Sequence, residues 1–218
     1  MKVINLGENS SVLNSIVAKL RDKEFQKDNT LFRENLRNLG RIFGYELSKS
    51  LPSKQISVTT QLGVADINVP DAKIVVATIL RAGLPLHDGV ISCFDGAEAA
   101  FITAYRQYDE NKNILVYTSY CATPELDGKT VILADTMLAT GSSLLDGLKV
   151  LKSKGGEPAC LHLVCPMACV PAVERLKKEF PGDNVTLWVA TIDPELNENS
   201  YIVPGLGDAG DLSFGPKL

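Results

Sequence analysis

The stretch that decides the fold is VILADTMLATGSS, residues 131–143. An apolar run ends in the acidic residue Asp135, a short polar loop follows, and Thr-Gly-Ser-Ser then opens an amphipathic segment. This order predicts a buried strand over 130–134 and a helix over 143–154. A strand that enters a helix through a polar loop is typical of a βαβ unit, so the stretch favours an α/β fold.

The same alternation extends on both sides of this stretch. Apolar runs that predict further strands alternate with segments of helical periodicity. The predicted strands span 74–79, 98–104, 114–120, 130–134, 159–165 and 185–190, and the predicted helices between them span 143–154 and 171–180. We therefore expect an α/β protein with a mainly parallel central sheet flanked by helices.

The first third of the chain has a different character. Apolar residues at three- and four-residue spacing predict helices over 11–20 and 31–51, and the β-prone residues 55–69 predict a hairpin or an arm. A length of 218 residues fits one large domain. We expect a single domain over 1–218, with a helical N-terminal segment and arm (1–70), an α/β core (71–190) and a C-terminal segment (191–218).

Composition excludes several classes of protein. Hydrophobic residues make up 45% and charged residues 22%, which excludes a disordered chain, and a net charge of −4 argues against nucleic-acid binding. No apolar run approaches the roughly 18 residues that span a membrane, and residues 1–15 do not resemble a signal peptide. The odd number of cysteines, five, favours reduced thiols. We expect a cytoplasmic protein that binds neither membrane nor nucleic acid.

The loop after the central predicted strand favours phosphate binding. The backbone amides of residues 140–143 would lie at a helix N-terminus, where free N–H groups and the helix dipole attract an anion. Asp135 would be repelled by a phosphate and is better placed for sugar hydroxyls or a cation. The alternative is that Ser142 or Ser143 only caps the helix, which is the commoner role of such residues.

Three motifs together resemble a known family. The pattern hydrophobic-Asp-x-x-x-Ala-Thr-Gly-Ser in 134–142 resembles the ribose-phosphate loop of type I phosphoribosyltransferases. The segment YIVPGLGDAGD (201–211) looks like the uracil-recognition segment of the uracil phosphoribosyltransferases, and ILRAGL (79–84) is similar to that family's pyrophosphate loop. The resemblance covers nearly the whole chain. It implies a type I phosphoribosyltransferase-like fold in which 191–218 forms a hood over the site.

The resemblance implies that uracil and phosphoribosyl pyrophosphate (PRPP) react to give UMP and pyrophosphate. It also implies a homo-oligomer, either a dimer or a tetramer, and Mg²⁺ bound mainly through the pyrophosphate of PRPP without a metal site of the protein's own. The catalytic residues would be Asp135, Arg81 and Asp208. The PRPP-binding residues would be Arg81, Arg106, Asp135, Thr136, Met137, Leu138, Ala139, Thr140, Gly141, Ser142, Ser143 and Asp208. The uracil-binding residues would be Ile202, Gly207, Asp208 and Ala209.

The residues suit that chemistry. The bond to pyrophosphate would break with oxocarbenium character at the sugar, so Arg81 and Mg²⁺ would stabilise the leaving group and Asp135 would hold ribose hydroxyls. Arg106 would reach PRPP from a flexible loop, although an arginine in such a loop is often only solvated. The alternative function is that of a nucleotide-sensing regulator without this activity. Departures from the family pattern at Thr136, Ser142 and Leu212 leave the exact base open.

Overall fold

The computed structural model describes residues 1–108, 114–182 and 184–217, and for 104–108 and 114–119 it describes the backbone alone. The helices are α1 (Val12–Arg21), α2 (Asn29–Ser48), α3 (Leu84–Ile91), α4 (Ser142–Gly155), α5 (Val170–Glu179) and α6 (Ala209–Phe214). The strands are β1 (Lys2–Asn5), β2 (Ser53–Thr59), β3 (Val64–Pro70), β4 (Ile74–Leu80), β5 (Glu98–Tyr108), β6 (Ile114–Ala122), β7 (Thr130–Ala134), β8 (Met137–Leu138), β9 (Cys160–Val164), β10 (Met167–Cys169), β11 (Val185–Val189), β12 (Thr191–Asp193), β13 (Glu195–Leu196) and β14 (Ile202–Val203).

Seven of these strands form the central sheet, in the order β1-β11-β9-β7-β4-β5-β6. All neighbours in this sheet are parallel except β5 and β6, which are antiparallel. Strands β4 and β7 lie at its middle and are almost entirely buried, because helices cover both faces. The expectation of an α/β fold with a mainly parallel central sheet is confirmed.

Strand order determines where a ligand can bind. From β4 the chain moves to β5 on one side of the sheet, and β7, β9 and β11 then follow on the other side. The order of strands therefore reverses between β4 and β7, and a crevice opens at their carboxyl ends. The loop after β4 contains Arg81 and the loop after β7 contains Asp135, so the two predicted catalytic loops are neighbours.

Several elements were not predicted from the sequence. Strand β1 adds to the edge of the central sheet from within the segment expected to be helical, and α3 follows β4 directly. Strands β8, β10 and β12 form a small parallel sheet. All are short, and the pairs that define β8, β10 and β12 join residues far apart along the chain, so local periodicity carries no signal for them.

The N-terminal helices pack on the α/β core. Helix α2 is capped by Asp28, whose carboxylate accepts from the N–H groups of Thr30 and Leu31. It ends at Ser48, three residues before the predicted end. Its apolar face is buried, and Gly40 lies so close to α3 that a Cβ there would come within 2.2 Å of the Leu86 carbonyl oxygen. The predicted hairpin is present as antiparallel β2 and β3, which we call the arm. The division of the domain into three segments stays a prediction.

Within the described ranges, no helix combines the length and apolar character needed to cross a membrane.

Candidate active site

The cleft at the carboxyl ends of β4 and β7 has a volume of about 910 Å³. Three segments that are distant in sequence line it: the pyrophosphate loop (79–84), the phosphate loop (135–143) and the hood (191–218). The lining residues from these segments are Ile79, Leu80, Arg81, Ala82, Asp135, Met137, Ala139, Ser143, Glu198, Asn199, Ser200, Tyr201, Ile202, Gly207, Asp208, Ala209, Gly210 and Lys217. Most of the predicted site residues are thus brought together.

The phosphate loop leaves β7 in a defined geometry. The backbone N–H of Asp135 donates to the Val164 carbonyl of β9 at 3.0 Å, and the Asp135 carboxylate accepts from the Thr136 N–H at 2.8 Å. Asp135 therefore lies at the cleft with its orientation set by the sheet beneath it. The next residue, Thr136, is fully buried, as is Leu138, so their side chains support the loop from below.

The loop enters α4 through Gly141, which has a left-handed φ of 77° and is the N-cap of the helix. A Cβ there would lie 2.9 Å from the end of the flexible Leu176 side chain, which can shift, so it is the left-handed conformation that favours glycine here. The Thr140 hydroxyl accepts from the Ser142 N–H at 3.3 Å, and neither Ser142 nor Ser143 caps this helix, so the alternative that one of them caps it is wrong. In the described part of the chain, the N–H groups of Thr140, Gly141 and Ser143 have no acceptor and are available to an anion.

The pyrophosphate loop is tied to the phosphate loop from below. The Thr78 hydroxyl donates to the Ala134 carbonyl at 2.9 Å, which joins the ends of β4 and β7. Gly83 packs so closely here that a Cβ would lie 2.2 Å from the Thr78 hydroxyl oxygen. Above this contact, the partly exposed Arg81 guanidinium pairs with the Asp211 carboxylate of α6 at 2.8 Å. Arg81 thus bridges the pyrophosphate loop and the hood.

Asp208 caps α6 and lines the cleft at the same time. One carboxylate oxygen accepts from the N–H groups of Gly210 at 2.9 Å and Asp211 at 3.0 Å, and the other lies 3.4 Å from the Lys217 ammonium. Burial acts to raise the pKa of Asp208, but these hydrogen bonds and the Lys217 charge outweigh it and hold the pKa below its ordinary value. Asp208 is therefore an anion at neutral pH.

The glycine-rich turn of the hood presents backbone groups beside apolar walls. Ile202 and Ala209 are buried at the cleft, and Gly207 adopts a left-handed φ of 99°. Within the described residues, the N–H groups of Gly207 and Ala209 make no hydrogen bond. This arrangement suits a flat polar ligand, because the walls exclude water and the backbone donors remain unpaired.

The hood is held by residues that the sequence reading missed. Arg21 at the end of α1 donates to Asp193 at 2.6 Å and to the Gly205 carbonyl at 3.1 Å, and Asp193 accepts from the Gly205 N–H at 3.0 Å. Asp193 is buried, and it therefore acts as a tether for the hood. No local signal identifies this partnership, because its members are about 170 positions apart.

Two further groups line the cleft without having been predicted. Thr103 lies level with the end of β4, opposite Leu80, and residues 198–201 form the hood's edge. The rule that ligands bind at the strand order reversal could have identified Thr103, since it marks the same sheet edge. The side chain of Arg106 lies outside the described residues. Its backbone lies in β5 and pairs with Val116 of β6, so it is in a strand and the expectation of a loop is wrong.

Both histidines lie in the core and outside the cleft lining. The His87 ring contacts the Val76 carbonyl at 3.1 Å, and burial lowers its pKa. His162 accepts from the Trp188 indole N–H through Nδ1 at 3.1 Å, so its proton lies on Nε2, 3.6 Å from the Cys160 sulfur. Burial lowers the pKa of His162 to about 4. His87 lies in α3 and His162 in β9, and both pack within the core.

Comparison with known proteins agrees with the geometry of the cleft. The family model described as uracil phosphoribosyltransferase matches residues 8–216. A curated relative from Porphyromonas gingivalis with that name is 46% identical over 218 residues, covering 100% of both chains. One from Thermococcus gammatolerans is 39% identical over 97% of this chain and 92% of its own. A solved protein structure from Aquifex aeolicus superimposes with a TM-score of 0.85 and 29% identity, covering 99% of each chain.

Proposed function

The chain belongs to the uracil phosphoribosyltransferase family, and we propose roles in that family's reaction for the residues of its cleft. The enzyme transfers the 5-phosphoribosyl group of PRPP to uracil and gives UMP and pyrophosphate. None of the relatives named above favours the regulatory alternative. The observation that supports the assignment of roles is the meeting of the pyrophosphate loop, the phosphate loop and the hood in one cleft.

PRPP lies across the strand order reversal in this proposal. Its 5′-phosphate binds the free N–H groups of Thr140, Gly141 and Ser143 at the start of α4, and its ribose hydroxyls donate to Asp135. Its pyrophosphate lies beside Arg81. Binding then requires the Arg81 guanidinium to exchange or share its contact with Asp211, since both anions compete for the same donors.

The ribose acquires positive charge as the bond to pyrophosphate breaks. The Asp135 carboxylate, fixed by the Thr136 N–H, stabilises that charge through the ribose hydroxyls. The Asp208 carboxylate stands at the boundary between the hood and the cleft, and it remains ionised because its pKa is lowered. Arg81 stabilises the leaving pyrophosphate on the opposite side.

Magnesium fits this donor set only as part of the PRPP complex. The described residues contain no group of three or more histidine, cysteine or acidic side chains that could hold a metal ion. Mg²⁺ commonly binds through one or two carboxylates together with substrate phosphates and water, and Asp135 lies at the cleft to act as such a carboxylate. When bound, the ion adds Lewis-acid stabilisation of the leaving pyrophosphate.

Uracil binds in the hood in this proposal. Its edge presents the acceptor O4, the donor N3–H and the acceptor O2, and the unpaired N–H groups of Gly207 and Ala209 supply donors for such an edge. Ile202 covers the ring. Cytosine would place an amino donor where O4 stands, which leaves two donors facing each other in a buried site. The site would therefore prefer uracil over cytosine by up to roughly 10⁴-fold.

A base panel tests the function and the selectivity together. Purified protein, PRPP and Mg²⁺ are combined with uracil, cytosine, hypoxanthine or adenine, and pyrophosphate release is measured. Release with uracil alone is expected. Release with another base at a comparable rate would contradict the hood assignment, and no release with any base despite measurable UMP binding would contradict the catalytic function.

We also propose that the protein forms a homo-oligomer through the arm. The arm exposes several apolar side chains, with Leu62 wholly exposed and Val64 70% exposed. Burial of such a surface against a second copy would remove apolar area from water. Sedimentation of the wild type should give a dimer or a tetramer, and Val64→Asp together with Ile67→Asp should shift it to smaller species.

The cytoplasm is the proposed location. All five cysteines are free in the structure, and burial raises the pKa of the Cys165 thiol well above its ordinary value, which keeps it protonated and unreactive. Free thiols are typical of a reducing compartment. Cell fractionation of the native protein would check this location.

A further inference from the structure

Arg175 lies on α5, outside every motif of the site, yet its guanidinium contacts the phosphate loop. Its Nη1 donates to the Thr140 carbonyl at 2.9 Å and to the Ser142 hydroxyl at 2.8 Å. The two acceptors lie on either side of Gly141, the N-cap of α4. One side-chain nitrogen therefore holds both ends of the turn on which the 5′-phosphate is proposed to bind.

The contact with Thr140 orients a backbone donor. The carbonyl and the N–H of a trans peptide point in opposite directions. Because Arg175 holds the carbonyl of the Thr140–Gly141 peptide, the N–H of Gly141 faces away from Arg175, and no described residue accepts from it. Arg175 thus keeps one of the free donors of the phosphate loop in a fixed orientation.

The contact with Ser142 depends on a residue by which this chain departs from the family pattern. A glycine at 142 would offer no side-chain acceptor. Ser142 accepts from Arg175 and also lies 3.3 Å from the Thr140 hydroxyl, so the three side chains form one hydrogen-bonded cluster. The serine at this position therefore has a structural partner on α5.

The charge of Arg175 is not neutralised locally. Among the described residues no carboxylate lies within ion-pair distance of Arg175, whereas Lys177 on the same helix pairs with Glu174 at 2.8 Å. A positive charge held against the phosphate loop adds to the favourable field at the start of α4. An anion on the loop amides would therefore interact with Arg175 as well.

We propose that Arg175 is a positioning residue of the 5′-phosphate site: it anchors the turn through Thr140 and Ser142 and adds a positive charge on the side of the turn opposite the phosphate. The inference rests on the proposed function, because it requires that the 5′-phosphate of PRPP binds this loop. It predicts a selective effect on PRPP, since Arg175 is not among the residues that line the cleft beside the hood turn and Arg81.

Steady-state kinetics of wild type, Arg175→Gln, Arg175→Lys and Ser142→Gly test the inference, with Lys178→Gln as the control because Lys178 is an exposed cation on the same helix. Arg175→Gln should raise the KM for PRPP about tenfold, with kcat and the KM for uracil within about twofold. Arg175→Lys should raise the KM for PRPP less than Arg175→Gln does, because lysine keeps the charge. Ser142→Gly should also raise this KM less, because the contact of Arg175 with Thr140 remains.

The results of these experiments distinguish a failure of the role of Arg175 from a failure of the proposed function. An active wild type whose KM for PRPP is unchanged in Arg175→Gln would overturn the role of Arg175 alone. An equal rise of the KM for PRPP in Lys178→Gln would also overturn this role, since a general effect of net charge would then explain both variants. A wild type that is inactive with uracil and PRPP would overturn the function on which the inference rests. Unfolding midpoints equal to that of the wild type are expected for all variants.

Discussion

The phosphate loop and the hood line the same cleft but are stabilised in different ways. The phosphate loop is organised by bonds inside the loop, as from Thr136 N–H to Asp135 and from Ser142 N–H to Thr140, and by contacts with β9 and α5 of the α/β core. The hood is held by helices from the other end of the chain: Arg21 and Gln26 donate to its carbonyls across sequence separations of 184 and 180 residues. The site for the phosphate is thus held within the α/β core, whereas the site for the base is tied to the N-terminal helices.

The largest expected effect follows from breaking the hood's buried tether. Asp193→Asn removes the charge that pairs with Arg21 and leaves the guanidinium uncompensated, so the free energy of unfolding should fall by about 3–5 kcal/mol. The KM for uracil should rise more than the KM for PRPP. Urea denaturation and steady-state kinetics measure the two effects, with the exposed Glu179→Gln as control. Equal rises in both KM values would contradict the separation of the two regions.

A change in the phosphate loop should show the opposite pattern. Asp135→Asn keeps the shape of the side chain but removes the charge that stabilises the ribose in the transition state, so kcat should fall by roughly 10²–10³-fold. The unfolding midpoint should stay close to that of the wild type, because the loop's neighbours remain. Pyrophosphate release and thermal unfolding measure this. A large loss of stability with little change in kcat would assign Asp135 a structural role instead.

Acid should weaken the sheet that supports both regions. The pKa of His162 is lowered from 6.5 to about 4, so between these values the unfolded chain binds more protons and stability falls as the pH falls. The loss between pH 6.5 and pH 4 should be roughly 3 kcal/mol from this residue. Urea denaturation across this pH range measures the free energy of unfolding, and His162→Gln should make that free energy depend less steeply on pH. An unchanged slope in that variant would disprove the assignment.

The smallest expected effect is at the outer tether of the hood. Asn29 on α2 donates to the Leu212 carbonyl of α6 at 2.8 Å, so Asn29→Ala should lower the free energy of unfolding by about 1 kcal/mol and raise the KM for uracil slightly. Asn35→Ala is the matched control, because among the described residues the Asn35 side chain bonds only to the Leu31 carbonyl within α2. If both variants raise the KM for uracil equally, Asn29 has no specific role in the hood.

The central strands and the phosphate loop could be predicted because their signals are local. The run over 130–134 coincides with β7, and the helix expected at 143 begins one residue earlier. The resemblance at 201–211 placed Asp208 and Gly207 in the cleft, but it carried no information on Arg21 or Gln26. Arg175 was also missed, since nothing in its helix distinguishes it from the exposed lysines that follow it.

The sequence by itself determined six of the seven strands of the central sheet, the helices α1, α2, α4 and α5, and the chemical character of the main loops, because burial periodicity and helix termini depend on residues within a few positions of one another. Only the tertiary structure decided that β1 completes the sheet, that Arg81 meets Asp211, and that Arg175 holds Ser142. These contacts join residues that lie far apart in the chain. Their geometry is set by how helices pack on the sheet, which no short stretch of sequence contains.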